Sequence, residues 1–144
     1  MRKIVLINCV KKKRAGKHKA KDLYVSTLFR YQLKYAKLFS EEIYILSAKY
    51  GLLELDDYIE SYDLTLNNMS NDSRKKWTCK VLKQLQEKNI TKEDRIVFLC
   101  GKKYLEYLAV YFKNNEIPLK TMGLGERLRF LKKEIMKRRR NERK

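Results

Sequence analysis

The chain has 144 residues, 44% of them apolar, which is enough for one domain that buries its own core without disulfide or metal staples. Thirty-five Lys and Arg stand against 17 Asp and Glu, a formal net charge of +18 with one histidine. Cys9, Cys79 and Cys100 have neither metal-site spacing nor an even number, so a zinc site and a disulfide framework are both excluded. The expected compartment is the reducing cytoplasm.

No run approaches 18 apolar residues, so no membrane span is expected and the first apolar segment is too short for a signal peptide. A compact chain with this excess of positive charge repels itself, and the usual compensation is a polyanion. The expected partner is DNA, or RNA, with no obligate protein partner. A bias toward lysine codons is the bland alternative, but it would also raise Glu and Asp, which are few here.

Ile4-Val-Leu-Ile7 is a β-branched run of the kind covered on both faces of a sheet. It leads through Asn8-Cys9 into residues 11–21, seven of which are Lys or Arg. Ser26 is placed to cap a helix with Leu28, Tyr31, Tyr35, Leu38 and Phe39 at helical spacing. Ile43–Leu46 is a second buried strand, followed by Ser47-Ala-Lys-Tyr-Gly-Leu-Leu53 and an acidic, irregular stretch to Leu66. A helix opening at residues 71–73 carries Trp77, Val81, Leu82 and Leu85.

Arg95–Cys100 is the third strand, with Gly101 turning into a helix that carries Tyr104, Leu105, Leu108, Tyr111 and Phe112. Ile117-Pro-Leu119 reads as a fourth, edge-like strand. A final helix opens at Met122-Gly-Leu-Gly125, uses Leu128, Leu131 and Ile135, and frays from Met136. The expected fold is α/β, three layers α/β/α around a mostly parallel four-stranded sheet. Residues 1–135 form one domain and 136–144 a basic tail.

In such folds the site lies at the carboxyl ends of the strands. Lys49, just past a strand, is placed either to clamp an anion with a perturbed amine or simply to reach solvent. Glu54, Asp56, Asp57, Glu60 and Asp63 concentrate five carboxylates on a basic chain. Either one of them activates water beside a sugar, with Asp63 the choice because it sits between Tyr62 and Leu64, or they are turn and cap residues. Tyr24 and Ser26 read as a stacking ring and a base-edge hydroxyl, or as a core tyrosine and a helix cap. Gly123, Gly125 and Arg127 suit a phosphate at a helix start, although a lone GxG is weak. Cys9 is a nucleophile candidate or inert packing.

Six segments occur in the order of a known family: Cys9-x3-Lys13, Asp22-Leu-Tyr24-x-Ser26-x-Leu-Phe29, Ile45-Leu-Ser-Ala-Lys-Tyr-Gly-Leu52, Ile59-x2-Tyr62-Asp63-x-Thr-Leu66, Leu99-x-Gly101-x2-Tyr104 and Gly123-Leu-Gly125. Over residues 4–135 the chain resembles a family of small bacterial and phage proteins, domain of unknown function 6884. The Cys9-x3-Lys13 segment with its following Tyr and Ser is also similar to the signature segment of archaeosine synthase. Such domains are laid out like the uracil-DNA glycosylase fold.

The water-activating Asp and stacking Tyr that uracil-DNA glycosylases carry after strand one are missing here. The resemblance therefore implies a carboxylate from Asp22 or the later acidic stretch. The expected function is a DNA N-glycosylase acting on a modified base in phage DNA as host defence. Catalysis would fall to Asp63, Lys49 and Ser26, and binding to Cys9, Lys13, Tyr24, Tyr50, Tyr62, Gly101, Tyr104, Gly123, Gly125 and Arg127. No metal and no cofactor are expected. A non-catalytic nucleic-acid-binding protein and a base-modifying transferase are the alternatives.

Overall fold

The structure, a computed structural model, describes residues 2–8 and 13–142, with side chains through Arg138. Four parallel strands form its centre: β1 (Lys3–Asn8), β3 (Ile43–Ser47), β6 (Arg95–Leu99) and β7 (Asn114–Glu116). β4 (Gly51–Glu54) adds an antiparallel edge, giving the order β4-β3-β1-β6-β7. The runs Ile4–Ile7 and Ile96–Leu99 are buried throughout, as strands covered on both faces require.

Two helical segments, α1 (Ala20–Leu23) and α2 (Thr27–Lys37), link β1 to β3. α3 (Asn71–Glu87) precedes β6, α4 (Lys102–Leu105) follows it, and α5 (Leu124–Glu142) closes the chain. β3 lies on one side of β1, while β6 and β7 lie on the other. Right-handed crossovers then put α2 on one face and α3 with α4 on the opposite face. Packing agrees: α5 lies against α2, and Trp77 of α3 meets Tyr104 of α4 edge to face at 5.7 Å.

Ser26 caps α2 by accepting from Phe29 N, and Phe29, Gln32, Tyr35 and Ala36 form its buried stripe. α3 opens at Asn71, within the range expected, and is capped by Ser70. No described helix is long and apolar enough to cross a membrane.

The architecture departs from expectation at several points. The sheet has five strands rather than four, because residues 51–54 double back on β3 as an antiparallel edge. The strand expected at 117–119 forms instead at 114–116, where all three residues can pair and Pro118 stays outside the ladder. The helix expected after Gly101 stops after one turn and is followed by a 3₁₀ turn at Ala109–Tyr111. Asn115 Nδ2 donates to the Ala109 and Phe112 carbonyls there, tying down the 3₁₀ turn. α5 runs on to Glu142 instead of fraying at Met136, since Lys and Arg are good helix formers and favour a helix carboxyl end.

The basic segment after β1 is stitched down. β2 (Lys17–Lys19) pairs antiparallel with β5 (Tyr58–Glu60), and Ser61 N donates to Gly16 O. The turn between β3 and β4 is clamped from α3, whose Gln84 accepts from Leu52 N and donates to Tyr50 O. Gly51 sits there at φ +78°, where an added Cβ would also collide with Gln84 Oε1. Gly51→Ala should therefore cost about 1–3 kcal/mol, read as a lower urea midpoint at unchanged m.

Candidate functional site at the strand carboxyl ends

The four parallel strands have the doubly wound order 2-1-3-4, in which the crevice opens beyond the carboxyl ends of β1 and β6. Asn8, at the end of β1, stands in register with Leu46 on β3. On its other side a Cβ added to Gly101 would lie 3.9 Å from Asn8 Nδ2. Asn8 thus separates two groups of polar residues, one at the end of β3 and one beyond β6.

At the end of β3 three hydroxyls form a chain. Ser47 Oγ donates to Tyr62 Oη at 2.8 Å, and Tyr62 Oη is 2.8 Å from Tyr24 Oη. Ser47, fully buried, also accepts from Tyr50 N, while its carbonyl accepts from Trp77 Nε1. The Tyr62 ring is half-buried, with the Tyr50 ring edge-on at 5.6 Å and the Lys13 ammonium 4.4 Å from its centroid. Lys13 is held there by a β-bridge to Tyr24. A bonded chain of this kind polarises along its length and presents a fixed set of donors at one edge of the sheet.

Beyond β6 lies a cleft of about 790 Å³, walled by α4, the 3₁₀ turn, residues 115–123 and the start of α5. Leu105, Ala109, Val110, Ile117 and Met122 give it an apolar floor, and Lys102, Lys120, Arg127 and Glu106 a charged rim. Glu106 is fixed from beneath by Arg74, 3% exposed, which donates Nη1 to Glu106 Oε2 at 2.8 Å.

The structure brings Lys13, Tyr24, Tyr50 and Tyr62 together, and gathers Gly123 and Arg127 at the cleft. Other placements differ from those expected. Lys49 is exposed at the tip of the β3–β4 turn, its ammonium 5.2 Å from the Tyr50 ring, rather than desolvated at the strand end. The Ser26 hydroxyl is committed to the α2 cap. Tyr24, 2% exposed and packed on Phe29, offers no open face for a base to stack on. Tyr104 is likewise core, 4% exposed, and Gly101 merely opens the four-residue α4.

At the start of α5 a carboxylate already faces the amides, because Glu126 Oε1 accepts from Gly123 N at 3.5 Å. A phosphate at Gly123 and Gly125 would compete with it. Arg127 donates Nε to Met122 O. Cys100 is buried and donates its thiol to Leu6 O, and Cys9 lies outside the described residues. Among the described residues no group of three or more His, Cys, Asp or Glu could hold a metal ion.

The acidic stretch divides. Asp57 Oδ2 accepts from Glu54 N in a turn, Glu54 pairs with Lys88, and Asp56 pairs with Lys19 and Lys21. These three line a groove with Glu41, Glu42 and Tyr44 at the amino end of β3, the end away from the crevice. Asp63 is exposed, directly after the anchored Tyr62, rather than pinned toward the core as expected.

Ser47, Arg74, Glu106 and Gln32 were not among the expected site residues. Ser47 sits in the expected motif, but nothing in a linear pattern marks its hydroxyl as a node. Gln32, fully buried on α2, donates to Leu99 O at the end of β6 and leaves its Oε1 without a partner.

Lys21 holds the Asp56 carboxyl below its ordinary value, first by a hydrogen bond and then by its charge. A lowered folded pKa contributes stability above the unfolded value and loses it as pH falls through the folded one. Asp56→Asn should lower the urea midpoint slightly at about pH 6, and the difference should shrink as pH falls below the ordinary carboxylate range. Tyr62→Phe removes the centre of the hydroxyl chain and should cost about 1–3 kcal/mol in chemical denaturation, since both of its bonds within that chain are lost.

No solved structure matches this chain. It is 33% identical to the Bacillus subtilis (strain 168) protein "Uncharacterized protein YfjM", with 94% of this chain and 96% of that one covered. Residues 4–133 match the model of "Family of unknown function (DUF6884)", and the chain belongs to that family.

Proposed function

We propose that this protein is a nucleic-acid-directed enzyme that processes a base at the carboxyl edge of its sheet, as a DNA N-glycosylase acting on a modified base, with phage DNA in host defence as the setting. The observation that carries the reading is the Tyr24–Tyr62–Ser47 hydroxyl chain with the Lys13 ammonium over it, at the end of β3 on a chain of net charge +18. Buried polar groups are costly unless satisfied, so a chain of three at the edge where doubly wound sheets bind ligands favours recognition of a polar ligand. The uracil-DNA glycosylase-like layout belongs to the same proposal.

Exposed rings are what an extruded base can stack on, which moves that role from Tyr24 to the half-buried Tyr50 and Tyr62. Asp63, one residue beyond Tyr62, supplies the carboxylate. In the reaction a water oxygen bonds to the sugar C1′ while the C1′–N bond breaks. Asp63 takes the water's proton, and the departing base keeps the bonding electron pair and gains a proton from solvent. The basic segment after β1 and the Lys and Arg at the end of α5 contact the backbone, and flipping costs a few kcal/mol that these contacts offset.

A purely binding protein is the second reading. It is favoured by the commitment of the Ser26 hydroxyl to a cap and of the α5 start to Glu126.

Incubation with unmodified DNA and with hypermodified phage DNA, followed by alkali cleavage at abasic sites, separates the two. Enzymatic base release should appear on a modified substrate, and Asp63→Asn should lower its rate by about 10²–10⁴-fold while leaving salt-dependent DNA binding intact. Absence of alkali-labile sites on every substrate leaves the binding reading. A mass gain on the base instead of its release identifies a base-modifying transferase.

A further inference from the structure

We infer that the cleft between α4 and the start of α5 is a binding site for a free mononucleotide, with the phosphate on its cationic rim and the base on its apolar floor. This goes beyond the base-excision reading and does not rest on it, since a free nucleotide can occupy the cleft whether or not DNA is cut. The volume of about 790 Å³ falls in the range of small-molecule pockets, and the lining has their composition, mostly apolar with a few converging polar groups.

Three cations surround the mouth from three separate stretches of chain: Lys102 from α4, Lys120 from the turn after β7, and Arg127 from α5. The one carboxylate on the wall, Glu106, is already matched by the buried Arg74, so the rim keeps an uncompensated positive charge. A phosphate monoester, nearly a dianion at neutral pH, answers several cations at once, whereas a fatty carboxylate answers one. Glu106, held in place from below, remains an acceptor for a ribose hydroxyl or an exocyclic amine.

The floor is unusually open. Val110 is 81% exposed beside Leu105, Ile117 and Met122, an aliphatic surface of the kind a planar base covers. The rim is also shaped at a backbone cost, for Thr121 takes φ +66° between Lys120 and Met122. A β-branched residue in that conformation persists where the surroundings require it, and such positions cluster at ligand sites.

The test is a titration of the full chain with 5′-AMP, adenosine and octanoate, followed by NMR of the methionine methyl groups. Four methionines are present, and Met122 reports on the cleft while Met69 and Met136 serve as controls. 5′-AMP should shift the Met122 methyl saturably, adenosine should bind at least about tenfold more weakly, and Lys120→Glu should weaken 5′-AMP by about tenfold at an unchanged melting temperature. A second variant, Val110→Glu, should weaken it comparably. The inference is overturned if 5′-AMP leaves Met122 unmoved, if adenosine or octanoate binds as well as 5′-AMP, or if neither variant changes the affinity. A negative base-release assay leaves this result untouched, and a negative titration leaves base release untouched.

Discussion

Ser47 ends β3 with no exposure to solvent, and three other parts of the chain meet on its polar atoms. Its carbonyl takes the indole N–H of Trp77 from α3, its hydroxyl takes the amide of Tyr50 from the following turn, and it donates to Tyr62, which reaches Tyr24 beyond α1. Each of those partners lies far from the others in sequence. Together they fix where α3 docks, how sharply the β3–β4 turn closes, and where the segment carrying Asp63 begins. An apolar residue at 47 would keep the carbonyl bond to Trp77 but lose the hydroxyl's bonds to Tyr50 N and Tyr62.

The rest of the carboxyl edge is organised around that node and around Asn8. The hydroxyl chain lies on the β3 side, the cleft on the β6 and β7 side, and the chain's own carboxylates are mostly kept at the opposite end of the sheet. Glu54 and Asp56 pair with local lysines there and Asp57 closes a turn, so the positive potential at the crevice is not cancelled by them. On the crevice side Glu106 and Glu126 are each tied to a donor of the protein itself.

The three long buried strands could be read directly, because continuous β-branched runs such as Ile4–Ile7 have few other uses. Helices α2 and α3 were equally plain from their apolar stripes. What escaped was non-local. β2 and β5 are three residues each and join segments some forty residues apart, with nothing in Lys-His-Lys to announce a strand. The spacing of Tyr104 to Phe112 is helical, yet the segment forms one α turn and a separate 3₁₀ turn, the latter tied down by Asn115 from outside the segment. At the site, residue type was a better guide than role: Tyr24 and Tyr62 matter together, but as a buried hydroxyl chain. Ser47, Arg74 and Gln32 drew no notice because burial of a polar side chain is a property of the tertiary fold.

The β2–β5 ribbon has a consequence for how a polyanion would be met. A basic segment left as a free arm would have to be ordered as it bound, and that lost freedom would be subtracted from the affinity. Lys19 and Lys21 pair with Asp56, but Lys13 and Lys17 are already held by the Tyr24 bridge and by the backbone pairing of β2 with β5. Their charges form a rigid template rather than a tentacle. Encounter would then be governed by diffusion and electrostatic steering, with little folding left to do after contact.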